Sequence, residues 1–224
     1  MLRVAFATQT RKFASTALNI NELKELLRRT AQPVAIATSI LPNSSKPLAY
    51  HGATLSSVSS IAMEPYPLVA FSIRVPSRMA TSLKHKKHDL VLNLLSAAQA
   101  QQAFMFSNPH AFPNPFLYAE HSLTDCGLPI LHDSLGALKC RLISTLPLHD
   151  LDYLEGNSAT ASATIPSGSS EMFLARVLSL ENVPRNAETS LCSSPLIYYE
   201  KDYTTCTKSS TCMCSFIATF ASLI

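Results

Sequence analysis

Between His51 and Arg78 the chain runs HGATLSSVSSIAMEPYPLVAFSIRVPSR, and no other stretch limits the fold as tightly. It opens with Gly52 after His51 and carries Thr54, Ser56, Ser57, Ser59 and Ser60 with no charge among them. It then crosses Pro65 and Pro67 into the apolar run 68–73 and closes on Arg74, Ser77 and Arg78. Prolines lack a backbone donor and so bound strands rather than fill them. The pattern predicts an uncharged, hydroxyl-rich loop over 54–60, wedged between apolar β segments. Such a loop offers hydroxyls and backbone N–H groups to phosphate oxygens, and a nearby Arg balances their charge through paired N–H bonds. The same composition also suits a solvated Ser/Thr hairpin.

The flanking sequence supplies a mostly extended frame. Asn21 is predicted to cap a helix with Leu23, Leu26 and Leu27 on one face, stopped at Pro33. Strands are expected over 34–40, 47–50, 68–73, 90–95, 135–146 and 171–180, with helices over 78–84 and 97–106. Three prolines keep 108–116 irregular, leaving Phe112 and Phe116 to fill the core or cover a flat ring. Tyr198 and Tyr199 read as edge-strand packing. Residues 1–18 hold Arg3, Arg11 and Lys12, and the first carboxylate is Glu22. That is the composition of a mitochondrial presequence, which predicts a matrix location with the cytoplasm as the alternative. The Cys/Ser/Thr-rich tail 205–224 is expected to add little to the fold.

Composition removes several function classes. A chain of 224 residues with 47% hydrophobic and 15% charged residues can fill one globular core. Net charge is +3, and the one basic cluster, 84–88, has no aromatic interleaving, so no nucleic-acid partner is expected. The apolar end 216–224 is too short to span a bilayer, so no membrane partner is expected either. Only five glycines are present, and neither a Walker loop nor GxGxxG can be written onto them. The six cysteines form no paired knuckles, so no metal site is expected. His132-Asp133 and His149-Asp150 are adjacent pairs that cannot align as base and orienter, and no G-x-S-x-G elbow accompanies them. Asp150, Asp152 and Glu155 lack the spacing of a calcium loop and read as an acidic turn.

Gly52-Ala53-Thr54-Leu55-Ser56-Ser57-Val58-Ser59-Ser60, followed by Pro65, a strand and Arg74 to Arg78, resembles the flavin reductase family. The resemblance runs from about Leu23 to Tyr203 and takes in Gly127-Leu128-Pro129, Ala137-Leu138-Lys139-Cys140-Arg141 and Pro195-Leu196-Ile197-Tyr198-Tyr199. It implies a mainly β fold over 20–204, the FMN-binding split β-barrel, a Greek-key-like antiparallel barrel with peripheral helices. It also implies non-covalent FMN (FAD possible), NAD(P)H as hydride donor, a homodimer, and a flavin-dependent monooxygenase as possible partner. Thr54, Leu55, Ser56, Ser57, Val58, Ser60 and Ile61 match the flavin-contacting loop. Arg74, Ser77 and Arg78 match the phosphate-side turn. Ser57, Ser77 and Arg78 are assigned to phosphate, and the backbone of residues 54–58 to the ring edge and ribityl chain.

No catalytic side chain is assigned, because the cofactors carry the electronic work and the protein positions them. One departure stands out. Where the family commonly shows Gly-Asp-His, with a His implicated in nicotinamide binding, this chain aligns Ser169-Ser170-Glu171. His51 or His132 is then expected against the nicotinamide, and Glu171 would oppose an anionic dinucleotide. Slow reduction, or a flavin carrier without turnover, is the alternative outcome.

Overall fold

A computed structural model describes residues 19–40, 50–84, 89–160, 163–186 and 190–206. The proposed presequence, the turn at 42–45, the basic cluster beyond Lys84 and nearly all of the tail lie outside the described residues. Helix α1 (Ile20–Arg28) leads into strands β1 (Gln32–Pro33), β2 (Ala35–Ile40), β3 (Tyr50–Leu55), β4 (Ser59–Ala62) and β5 (Leu68–Arg74). Helix α2 (Arg78–Lys84), β6 (Asp89–Leu94) and α3 (Ala100–Ser107) follow. Then come β7 (His121–Leu123), β8 (Pro129–Leu131), β9 (Gly136–Pro147), α4 (Leu151–Leu154), β10 (Ser170–Glu181), β11 (Leu196–Tyr199) and β12 (Asp202–Thr205).

Seven strands form one antiparallel sheet in the order β3-β2-β6-β9-β10-β5-β4. Its two edge strands, β3 and β4, are consecutive in the chain and are joined by Ser56, Ser57 and Val58 alone. Laid flat, seven strands would hold their edges roughly 29 Å apart at about 4.8 Å per strand. Four peptide steps of about 3.8 Å reach only about 15 Å. The sheet therefore has to curl until its edges face each other, and the Ser-rich segment is the seam. The long strands β9 and β10 help by bulging, with register shifts between Leu174 and Ala175 and between Val177 and Ser179.

Inside the curl lies the main core, built from Ala37, Leu55, Phe71, Leu90, Leu142 and Phe173 with their neighbours. Phe71 and Phe173 stack at 5.6 Å across the β5–β10 pair. Helix α2 closes one end of the barrel through Met79, Ala80 and Leu83, all buried in this core. On the outer face of β2, a second cluster joins Ile36, Leu95, Phe106, Phe116 and Leu196. Helix α3 packs there against β3, and β2 is covered on both faces, so that it reads as one buried run that includes Thr38 and Ser39 rather than an alternation.

The structure departs from the predicted elements in informative places. The α1 cap is Asn19, not Asn21: the Asn19 side chain accepts from the Asn21 N–H and reaches Glu22. Leu26 and Leu27 are exposed, so the apolar face of α1 has no described partner on its own chain. The second strand does not end at Tyr50 but runs on to Leu55, and β4 begins at Ser59. The expected loop is thus two strand ends and a three-residue crossing. Tyr198 lies on β11, the central strand of the small β1-β11-β12 sheet, rather than on an edge. Phe116 is buried in the second cluster, in edge-on contact with Phe106 at 5.0 Å. Phe112 instead packs against the rings of Phe104 and Tyr118.

Candidate functional site: the barrel seam and the α2 turn

Strand periodicity decides which way each residue of β3 points. Gly52 and Thr54 face α3: Gly52 lies under the Phe106 ring, and the Thr54 hydroxyl donates to the Ala103 carbonyl at 2.7 Å. Ala53 and Leu55 face the barrel core. The side chains of Thr54 and Leu55 are therefore committed to packing, which leaves their backbone for a ligand.

At the seam the chain turns outward. Ser56, Ser57, Ser59 and Ser60 are exposed, and Val58 packs partly against the core. Ser57 is tied to β5: its hydroxyl oxygen accepts from the Ser72 N–H at 2.8 Å and from the Ser72 hydroxyl at 3.0 Å. This side-chain link continues the β4–β5 ladder two residues past Ser59, where backbone pairing ends. Ser57 so fixes the seam against β5, and its own O–H reaches back to the Ser72 carbonyl at 3.4 Å. Ile61 sits at a register shift of β4 and is 57% exposed, an apolar wall beside the hydroxyls.

From Ser72 the same strand leads to Arg74 and the turn into α2. Arg74 stands opposite Ser170 in the β5–β10 register, and Val75 N–H donates to the Ser169 carbonyl at 2.9 Å. Ser77 caps α2, its hydroxyl accepting from the Ala80 N–H at 3.2 Å. The Ser77 oxygen thus serves the helix start, while its O–H remains a donor. Arg74 and Arg78 are exposed, and among the described residues no carboxylate pairs with either. His51, on β3, lies close enough to Arg78 that burial and the guanidinium together hold its pKa below the usual imidazole value. Its Nε2 is buried and has no hydrogen-bond partner among the described residues. Seam, Ser72, Arg74 and the α2 turn form one continuous strip.

The geometry places two residues that bear on the missing family His. Glu171 does not face outward toward a dinucleotide. It is buried within the barrel end, and its Oε1 accepts from Lys84 Nζ of α2 at 2.9 Å. His132 is not part of the strip. It lines a cavity of about 320 Å³ with Gln99, Glu120, Asp133 and Asn186, to which no seam residue contributes. Sequence inspection missed the Lys84–Glu171 pair and the Ser57–Ser72 link, because both join residues far apart in the chain. The only clue to the first was an acidic residue within an otherwise apolar inward row of β10. Lys84→Met leaves a buried carboxylate without its cation, and the expected result is a stability loss of about 2 kcal/mol in urea denaturation. An unchanged midpoint would mean that Glu171 finds another partner.

Three observations fit this strip to a ring compound carrying a phosphate. The hydroxyls and backbone of the seam are exposed, the two guanidiniums downstream have no described carboxylate partner, and a buried imidazole nitrogen beside Arg78 lacks one too. Among the described residues no group of His, Cys, Asp and Glu is arranged to hold a metal. None of the described helices is long and apolar enough to cross a membrane.

Comparison with known proteins agrees with this geometry. Residues 27–207 match the family described as flavin reductase like domain. The chain is 30% identical over 152 residues to an NADPH-flavin oxidoreductase of Streptomyces viridifaciens, covering 66% of this chain and 74% of that one. Its fold is similar to a nitrilotriacetate monooxygenase component B homologue from Mycobacterium thermoresistibile, with a TM-score of 0.63 at 19% identity, covering 86% of this chain and 90% of that one. The styrene monooxygenase flavin reductase of Pseudomonas putida S12 gives a TM-score of 0.59 at 19% identity, covering 84% and 99%. Curled mainly β sheet, three-residue seam and sequence match together place this chain in the flavin reductase like domain family, with the split-barrel fold of its flavin reductase neighbours.

Proposed function

We propose that this protein is an NAD(P)H-dependent flavin reductase that binds FMN along the seam and passes reduced flavin to a monooxygenase. The observation that carries the proposal is the seam itself: three residues closing a seven-stranded sheet, with exposed serines along it and two exposed guanidiniums downstream that no described carboxylate pairs. Bound flavin supplies the electron-accepting ring for the nicotinamide hydride. The chain's own residues hold and orient. The backbone of residues 54–58 lines the ring edge and ribityl chain, Ile61 shields one flank from water, and Arg78 with Arg74 holds the phosphate. Ser57 acts mainly by keeping the seam in register with β5.

The turn supports FMN over FAD, because it offers two exposed guanidiniums four residues apart and no second basic cluster among the residues of the strip. The nitrilotriacetate and styrene monooxygenase relatives support a monooxygenase as acceptor. A homodimer is part of the same proposal, supported by the uncovered apolar side chains of α1 and β4, Leu26, Leu27 and Ile61. So is import into the mitochondrial matrix, supported by the basic, carboxylate-free stretch before Glu22.

Rapid mixing of the purified full chain with FMN and NADPH tests the activity. The expected result is bleaching of the oxidised flavin absorbance with saturation in NADPH. Binding without bleaching would favour a flavin carrier, the outcome that the Ser169-Ser170-Glu171 departure makes worth testing.

A further inference from the structure

We propose that His51 is a specificity-determining residue of the phosphate site, donating from Nε2 to the terminal phosphate of the flavin and so favouring phosphorylated over unphosphorylated flavin. The proposal rests on the reading of the α2 turn as the phosphate turn.

Three structural facts converge on it. His51 shares with Ala53 and Leu55 the face of β3 that looks into the barrel end closed by α2. Helix α2, which opens on Arg78, packs against β3, and the Arg78 charge acts on the His51 imidazole. Its Nε2 is buried without a partner among the described residues, whereas buried polar atoms of native proteins are nearly always paired. A phosphate oxygen held by Arg78 supplies what that nitrogen lacks. A neutral imidazole with its proton on Nε2 already serves as donor, so no protonation change is needed for binding.

The surrounding charges agree. Across from His51 on β2 stands Ser39, which is uncharged. On α2, Lys84 at the far end is taken up by Glu171 of β10, leaving Arg78 as the charged group acting on the ring. Among the described residues burial and the Arg78 cation act on the ring, and together they hold the imidazole toward its neutral form. An anion placed between the two groups reverses that field, and the ring's pKa has to rise when phosphate arrives. The size of that rise reports directly on phosphate contact, independently of any turnover.

The test compares FMN with riboflavin, which differ only in the phosphate. For His51→Ala the dissociation constant for FMN, from quenching of flavin fluorescence, is expected to rise about ten-fold or more. That for riboflavin should stay within about two-fold, and His51→Gln, which keeps a side-chain N–H donor, should recover most of the loss. In the unaltered protein, NMR titration should show the His51 pKa rising with FMN and not with riboflavin. This second measurement stands even if the variants fold poorly. Equal losses for both flavins, no loss for either, or a His51 pKa indifferent to FMN would overturn the proposal. If FMN discrimination depends on Arg78 but not on His51, only this inference fails. If the unaltered chain binds neither flavin, the cradle fails and this proposal with it.

Discussion

Replacing Arg78 by alanine is expected to weaken FMN binding about ten- to a hundred-fold while riboflavin affinity stays within about two-fold. A hydrogen bond to a charged group contributes about 1.5–3 kcal/mol, and about 1.4 kcal/mol is a factor of ten in affinity. Arg78 is the residue to test because it is exposed at the first position of α2 and has no carboxylate partner among the described residues. Its removal leaves no buried charge behind, so the loss reflects the missing contact rather than collapse of the helix. Ser77, by contrast, caps α2, and its replacement would mix a cap defect with any ligand effect. Because the site is open to solvent, the Arg78 effect should shrink as salt rises. Arg78→Lys should fall between, since lysine keeps the charge and loses the paired N–H fork. Equal weakening of FMN and riboflavin would remove the phosphate from this turn.

Gly52→Val is expected to lower stability by about 3 kcal/mol, or roughly 6–12 °C in melting temperature for a chain of this size. A Cβ at position 52 would overlap the ring atoms Cε1 and Cδ1 of Phe106. That ring is buried and meets Phe116 edge-on at 5.0 Å, so it has little room to retreat. The requirement at Gly52 is space, not an unusual backbone angle. Displacing α3 would also break the Thr54–Ala103 link and shift the strand that delivers the seam. In the double variant Gly52→Val with Phe106→Ala, the two losses should be far from additive, because the overlap disappears with the ring. A melting temperature within about 2 °C of the unaltered protein in Gly52→Val alone would show that α3 yields easily.

Both predictions act on one strip, and they separate its two functions. Arg78 contributes to what the strip holds; Gly52 contributes to where the strip lies. The Lys84–Glu171 pair belongs to the second kind, because it anchors the far end of the helix whose near end presents Arg78. His51 links the two, lying on the strand that Gly52 positions and facing the group that Arg78 supplies.

Much of this was legible before any coordinates. Apolar runs bounded by proline and polar turns located β5, β6, β9 and β10 to within a residue or two, and the helix over 78–84 agrees residue for residue with α2. These segments are legible because a buried strand or a capped helix turn is written in consecutive residues. The Ser-rich stretch was harder. Its composition spoke of exposure, yet Leu55 and Ser59 are strand ends, since a sheet edge can be polar where one side meets solvent. Asn19 and Asn21 are equally good caps on local grounds, and only the position of the first helical turn separates them.

By itself the sequence determined that this chain is mainly β, that its polar, uncharged segment lies between two apolar strands, and that it belongs with the flavin reductases. Local backbone preference and hydrophobic period suffice for the first two, because both are properties of neighbouring residues; the third rests on the resemblance carried by the Gly52–Ser60 and Arg74–Arg78 motifs. The tertiary structure alone decided that the segment closes the barrel, that Ser57 serves β5, and that Glu171 turns inward to Lys84 while His51 turns toward Arg78. Those outcomes depend on which edge of a curled sheet meets which helix end, and that pairing is set by the packing of the whole core.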